Sequence, residues 1–154
     1  CIMSKDLRLN GYGKEIRRKK FPKNYYFLII YPNFKLSTKS VFRNYAGYEN
    51  FSQKSKNIFF EDIKIYNSLL ISATSHAPEI KDVLDNLKII PNIVAYGMTG
   101  SGSTCFGIFK NFKDISNLNN FFNTKYFIWF GQKTDYNLNR VCCCKVLENK
   151  FQIM

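Results

Sequence analysis

Two short apolar runs, Ile93 to Met98 and Cys105 to Phe109, are separated by six residues made only of glycine, serine and threonine: Thr99-Gly100-Ser101-Gly102-Ser103-Thr104. Apolar runs of that length, bounded by turn residues, predict two strands joined by a turn. The glycines allow positive φ and let the backbone approach a ligand closely. Successive N–H groups at such a turn form a nest for an anion, and Ser101, Ser103 and Thr104 add hydroxyl donors. By itself the block is also compatible with a plain hairpin turn. It is not a P-loop, because no Lys follows the last glycine where that motif needs one.

The rest of the chain is organised around this unit. Cys1 to Ile16 reads as an extended piece ending at the turn Gly11-Tyr12-Gly13. Tyr25 to Tyr31, bounded by Pro22 and Pro32, is aromatic and β-branched enough to predict a buried strand. Ser37-Thr38 before Val41-Phe42 and Tyr45 predicts a capped helical turn, and Ala46 to Asn57 a polar loop. A helix is expected over Glu61 to Ala73, with Tyr66, Leu69, Leu70 and Ala73 on one face. The clearest helix starts at Pro78, carries Glu79 at the positive end of its dipole, and repeats Ile80, Val83, Leu84 and Leu87 until Pro91 stops it. Phe112, Ile115, Leu118 and Phe121 recur with helical spacing, Tyr126 to Phe130 predicts a further strand, and Arg140 to Val146 a last one. Strand, helices, strand, strand, helix, strand is the order of an α+β fold with helices packed on one face of an antiparallel sheet.

Composition narrows the function classes. The 154 residues are enough for one domain with a core, and 45% hydrophobic with 22% charged residues is a globular balance. A net charge of +12 raises the question of nucleic acid or an anionic membrane. The charge is spread out, however, and its densest run, Lys14 to Lys23 with Arg17 and Arg18, reads as a solvated turn between strands. Neither nucleic acid nor a membrane is therefore expected as a partner, and no stretch approaches the roughly 20 apolar residues of a membrane span. A positive field also suits an enzyme that handles polyanionic nucleotides. The five cysteines, Cys1, Cys105 and the run Cys142-Cys143-Cys144, form neither a disulfide framework nor a zinc pattern. They read as small apolar fillers in a reducing cytoplasm. His76, the one histidine, reads as a helix-start or surface residue, Glu61-Asp62 as helix-terminus acids, and Trp129 as core.

Several segments, taken in order, resemble the methylerythritol-kinase branch of the GHMP kinase superfamily. Gly97 to Phe109 is similar to its third motif, a strand followed by Ser-Gly-Ser-Gly-Ala-Thr-Cys-Phe, with Thr99 for the first Ser and Ser103 for the Ala. Asn67-Ser68-Leu69 resembles Asn-Asp-Leu, with the acid lost at Ser68. Ala77-Pro78-Glu79-Ile80 resembles a helix start, and Tyr31-Pro32 with Ser37-Thr38 and Val41-Phe42 resembles a strand, Pro and Ser-Thr-x-x-Val-Phe segment. Gly11-Tyr12-Gly13-Lys14-Glu15 resembles Gly-x-Gly-Glu with Lys14 inserted.

The resemblance implies the C-terminal domain of a GHMP kinase, a ferredoxin-like sandwich, over residues 18–154, and the tail of a missing N-terminal domain over residues 1–17. It implies transfer of the γ-phosphoryl of ATP, with Mg²⁺, to the 2-hydroxyl of a cytidine-diphosphate-linked methylerythritol. In that family the ATP-cradling loop, the catalytic Lys and the catalytic Asp all lie N-terminal to the matching segments. No catalytic residue and no metal ligand is accordingly expected in this chain, and the missing N-terminal half becomes a possible partner. Phe42 matches the aromatic that stacks on cytosine, and Thr38 the polar contact beside it. Gly100, Ser101, Gly102, Ser103 and Thr104 match the loop lining the phosphate end of the cleft. Another GHMP small-molecule kinase, a non-catalytic remnant and a basic nucleic-acid module stay open as alternatives.

Overall fold

The computed structural model describes residues 7–10, 15–18, 24–45, 58–61, 63–116, 118, 122, 126–133 and 144–148. The residues expected to form a turn, Gly11-Tyr12-Gly13, those expected to form a loop, Ala46 to Asn57, and Asp62, Phe121, Cys1, Cys142 and Cys143 lie outside these residues.

A five-stranded antiparallel sheet forms the centre. Its strands are β3 (Tyr26–Tyr31), β6 (Ile93–Met98), β7 (Cys105–Phe109), β8 (Phe127–Lys133) and β9 (Cys144–Glu148), in the spatial order β6-β7-β3-β8-β9. Strand β3 pairs with β7 on one side and β8 on the other, so the apolar run at Tyr26 to Tyr31 is central. Side chains alternate across a strand, and this decides which residues of β3 meet which layer. Leu28 and Ile30 are fully buried in a core with Val41, Ala73, Ile80, Val83, Leu87, Cys105 and Phe109. That core holds α1 (Thr38–Arg43), α2 (Leu70–His76) and α3 (Glu79–Ile89) on one face of the sheet.

The opposite face has a different cover. There β4 (Ile58–Phe60) and β5 (Ile63–Ile65) form a two-stranded antiparallel sheet. Phe60 packs with Tyr25, Ala95 and Ile108, and Ile58, Ile65, Phe27 and Phe106 close around them. The tight turn between β4 and β5 holds Glu61 at φ 55, where its carboxylate accepts from the Tyr25 hydroxyl at 2.6 Å. Nearer β8, Tyr31 stacks on Phe127 and Phe127 on Trp129, with ring centroids 6.3 and 6.0 Å apart.

Several expectations need correction. The helix expected from Glu61 to Ala73 is a strand followed by a short helix: left-handed backbone at Glu61 turns the chain back, and α2 starts only at Leu70. Glu61 is thus a hairpin-turn residue rather than a helix-terminus acid, and Tyr66 is exposed ahead of the helix. Trp129 is a half-buried member of an aromatic stack rather than part of a core cluster. Arg17 and Arg18 lie in β2 (Glu15–Arg18), which pairs with β1 (Leu7–Asn10), rather than in a turn. His76 is a surface residue, one of the two places expected for it, and it ends a helix instead of starting one. The segment at Phe112 to Phe121 contains an α-helix, α4, only at Lys113–Ser116 among the described residues; the last strand is described from Cys144 to Glu148, two residues past the expected end, and residues 140–143 of the expected strand lie outside the described residues. No helix among the described residues is long and apolar enough to cross a membrane.

Candidate functional site: a glycine loop stitched to a short capped helix

The turn between β6 and β7 closes through a bond from the Thr99 amide to the Thr104 carbonyl at 2.9 Å, with the Gly102 amide donating to the Thr99 carbonyl at 3.0 Å inside it. Gly100 and Gly102 both take left-handed backbone, at φ 52 and 86. Their surroundings differ. A Cβ at Gly102 would lie 3.0 Å from the Met98 sulfur, 3.2 Å from Leu36 and 3.3 Å from Ile80, whereas one at Gly100 would meet nothing within 4 Å. Gly102 is therefore pressed onto the core, and Gly100 borders open space.

One backbone carbonyl and two side chains from elsewhere in the chain hold the loop. Ser103 is buried and its hydroxyl donates to the Phe34 carbonyl at 2.8 Å, so any help it gives a ligand comes from its backbone. Ser101 is half-buried, and its hydroxyl is 2.9 Å from that of Thr38. Asn67, just ahead of α2, donates both hydrogens of its amide: to the Met98 carbonyl at 2.9 Å and the Gly100 carbonyl at 2.8 Å. Its oxygen accepts from the Leu69 amide at 3.0 Å.

Thr38 starts α1, whose N-cap Ser37 accepts from the Ser40 amide through its side chain. That cap fixes the rotation of a helix too short to be stable on propensity alone. The rotation sends Val41 into the core at 0% exposure and leaves Phe42 57% exposed. Phe42 is thus no core aromatic. It stands on the outside of the helix that bonds to the glycine loop. At the far end of α1, Asn44 lies 3.3 Å from His76 Nε2, while His76 Nδ1 is 2.8 Å from the Ser72 carbonyl. The imidazole is spent on joining two helix ends. Among the described residues no three His, Cys, Asp or Glu side chains gather closely enough to hold a metal ion. Cys105, buried directly after the loop, has its thiol pushed up to about 12 by loss of solvent, which makes it an inert filler.

The family described as "GHMP kinases C terminal" matches residues 49–128, just over half of the chain. The chain belongs to the GHMP kinases. Among curated proteins it is 34% identical to the 4-diphosphocytidyl-2-C-methyl-D-erythritol kinase of Ehrlichia canis over 131 residues, which are 76% of this chain and 45% of that enzyme. It is 35% identical to the protein of the same name from Ehrlichia ruminantium over 125 residues, 74% of this chain and 44% of that one. The chain thus spans less than half the length of these relatives. A crystal structure of 4-(cytidine 5'-diphospho)-2C-methyl-D-erythritol kinase shares the fold, with a TM-score of 0.55 and 21% identity over 77% of this chain and 46% of that one.

Within this GHMP C-terminal domain the structure brings together every candidate read from the sequence: Thr38 and Phe42 on α1, and Gly100 to Thr104 beside them. Reading the sequence missed Asn67. The segment carrying it was visible as Asn67-Ser68-Leu69, but its acceptors stand 31 and 33 positions away, beyond the reach of any local signal.

Proposed function

We propose that the intact protein is an ATP-dependent kinase that phosphorylates the 2-hydroxyl of 4-diphosphocytidyl-2-C-methyl-D-erythritol, in the non-mevalonate route to isoprenoid precursors. In this reading the present chain supplies the substrate-side domain, residues 18–154, and residues 1–17 are the tail of the N-terminal half. The pairing of β1 with β2 in a sheet of their own sets residues 7–18 apart from the central sheet and supports a boundary close to this point, although Arg18 pairs with Leu7 and so goes with the preceding residues. The names of the curated relatives support the substrate.

One observation carries the proposal. An exposed aromatic, Phe42, stands on the same short helix as Thr38, whose hydroxyl bonds to Ser101 of the glycine loop. A platform for a flat base is thereby linked to a backbone cradle for anions, as a nucleoside diphosphate requires. Thr38 and Phe42 bind the cytidine end, and Gly100, Ser101, Gly102, Ser103 and Thr104 line the phosphate end. The amides of Gly100 and Ser101 donate to no acceptor among the described residues, which fits a loop that receives phosphate oxygens. The donor set of the loop fits phosphate, and, as the family resemblance implies, ATP and Mg²⁺ are held mainly by the N-terminal half, together with the catalytic groups. What this domain contributes to phosphoryl transfer is orientation and a fixed polar environment. Alone it is inactive. The setting is the cytoplasm, and nucleic acid is not a partner.

The test is kinetic and uses the full-length protein. Phe42→Ala should raise KM for the cytidyl substrate about 5- to 150-fold, the equivalent of roughly 1–3 kcal/mol of stacking, and leave KM for ATP unchanged. An unchanged KM for the cytidyl substrate would remove Phe42 from the site.

A further inference from the structure

We propose that Asn67 is a positioning residue for phosphate recognition: it sets the orientation of the peptide whose N–H belongs to Ser101. The proposal rests on reading the glycine loop as the phosphate end of the cleft. A trans peptide points its C=O and the following N–H in opposite directions. Asn67 draws the Gly100 carbonyl to within 2.8 Å, so the Ser101 N–H is turned away from Asn67. The neighbouring peptide is fixed in the same manner, because the Thr99 carbonyl accepts from the Gly102 amide and the Gly100 N–H points the other way. Neither the Gly100 nor the Ser101 amide has an acceptor among the described residues, and Gly100 borders open space. Two adjacent donors are held without a partner, which is the arrangement a phosphate oxygen takes up.

Asn is suited to this task. Both of its N–H donors meet carbonyls and its oxygen meets an N–H, so the three partners also fix which way the amide group lies. The bond to Leu69 is local and helps to start α2. The bonds to Met98 and Gly100 reach across to the loop. A residue that merely began the helix needs only the first.

That difference supplies the experiment. Asn67→Asp and Asn67→Ser both keep an acceptor for the Leu69 amide. Asp has no donor for the two carbonyls, and Ser, shorter and with one donor, controls for the charge that Asp adds. Isotope-labelled full-length protein would be titrated with inorganic tripolyphosphate while the Gly100 and Ser101 amide resonances are followed. In the unsubstituted protein these two resonances should move. In both variants the affinity should fall at least tenfold and KM for the cytidyl substrate should rise with it, with the α2 resonances retained. Variants that bind tripolyphosphate as the unsubstituted protein does would overturn the role of Asn67, as would still resonances in an active enzyme. So would loss of the α2 resonances together with binding. A protein that shows the amide response and its loss in the variants, yet transfers no phosphoryl group, would refute the proposed reaction and leave Asn67 as a positioning residue.

Discussion

The two faces of strand β3 are built on different principles. On one, Leu28 and Ile30 disappear completely beneath three helices. On the other, Phe27 joins a smaller cluster under a two-stranded hairpin, and Tyr31 extends into an aromatic stack whose Phe127 stays 42% exposed. Every residue proposed to touch a ligand is carried by elements on the helical face or by the loop pressed onto it. A loop that must present unpaired amides needs a floor that cannot give, and fully buried aliphatic side chains at close packing supply one. The aromatic face can remain partly open because large rings bury area even when they are not enclosed.

The sharpest way to break this contrast is truncation on each side. Leu28→Ala should destabilise the chain by about 2–5 kcal/mol, because a fully enclosed side chain leaves a cavity. Phe127→Ala should cost only about 0.5–1.5 kcal/mol. Equal shifts in urea midpoint would mean that the faces do not differ in rigidity. The loop offers a second lever. Gly102→Ala combines left-handed strain with contacts of 3.0 to 3.3 Å and should cost about 2–4 kcal/mol, against about 1–2 kcal/mol for Gly100→Ala, which meets only the strain. Thermal unfolding of the two variants checks the difference.

The smallest effect is in the alkaline range, where the Cys105 thiol on the helical face and the Tyr25 hydroxyl on the hairpin face are raised, as are Tyr96 and Tyr126. Burial raises the Cys105 thiol on the helical face from 9.0 to about 12. On the hairpin face the bond to Glu61, and then burial, raises the Tyr25 hydroxyl above 10.0. A raised folded-state value means that the stabilising contribution is whole below the unfolded value and is lost as pH climbs toward the folded one. Stability should therefore start to fall near pH 9 through Cys105, and more steeply above pH 10 as Tyr25 joins. Cys105→Ala should remove the earlier part of that decline. Tyr25→Phe should cost about 0.5–1.5 kcal/mol at neutral pH and flatten only the later part. Urea midpoints measured from pH 7 to 11 separate the two.

How much of this was legible in the sequence follows from the range of the forces involved. The Ser37 cap, the Pro78 start and the 3.6-residue repeat through Leu87 are local, and α1 and α3 lie where they were expected. The glycine turn and its two strands were legible for the same reason. The β4–β5 hairpin was not. Its apolar residues run on into Tyr66, Leu69 and Leu70 with a spacing that also suits a helix, and the decision rests on left-handed backbone at Glu61 and on Tyr25, 36 positions earlier. The exposure of Phe42 was likewise hidden, because Val41 and Phe42 are adjacent apolar residues and only the packing of α1 chooses between them. The candidate site was thus readable as a set of residue types through family resemblance. The bonds that give it shape, Thr38 to Ser101, Ser103 to Phe34 and Asn67 to the loop, are all long-range.

The place of β3 at the centre of the sheet carries a consequence for biosynthesis. Its partner β7 begins at Cys105 and its other partner β8 at Phe127, so the ribosome finishes Tyr31 long before either neighbour exists. At about 5–20 residues per second, the wait for Cys105 alone is roughly 4–15 s. Throughout that interval Tyr-Phe-Leu-Ile-Ile-Tyr, a segment without a charge, has both edges unpaired. Such a strand is an open template for another nascent chain. The yield of folded protein in a cell should accordingly be governed by translation speed and by chaperones that shield this one hexapeptide, more than by the final stability of the domain.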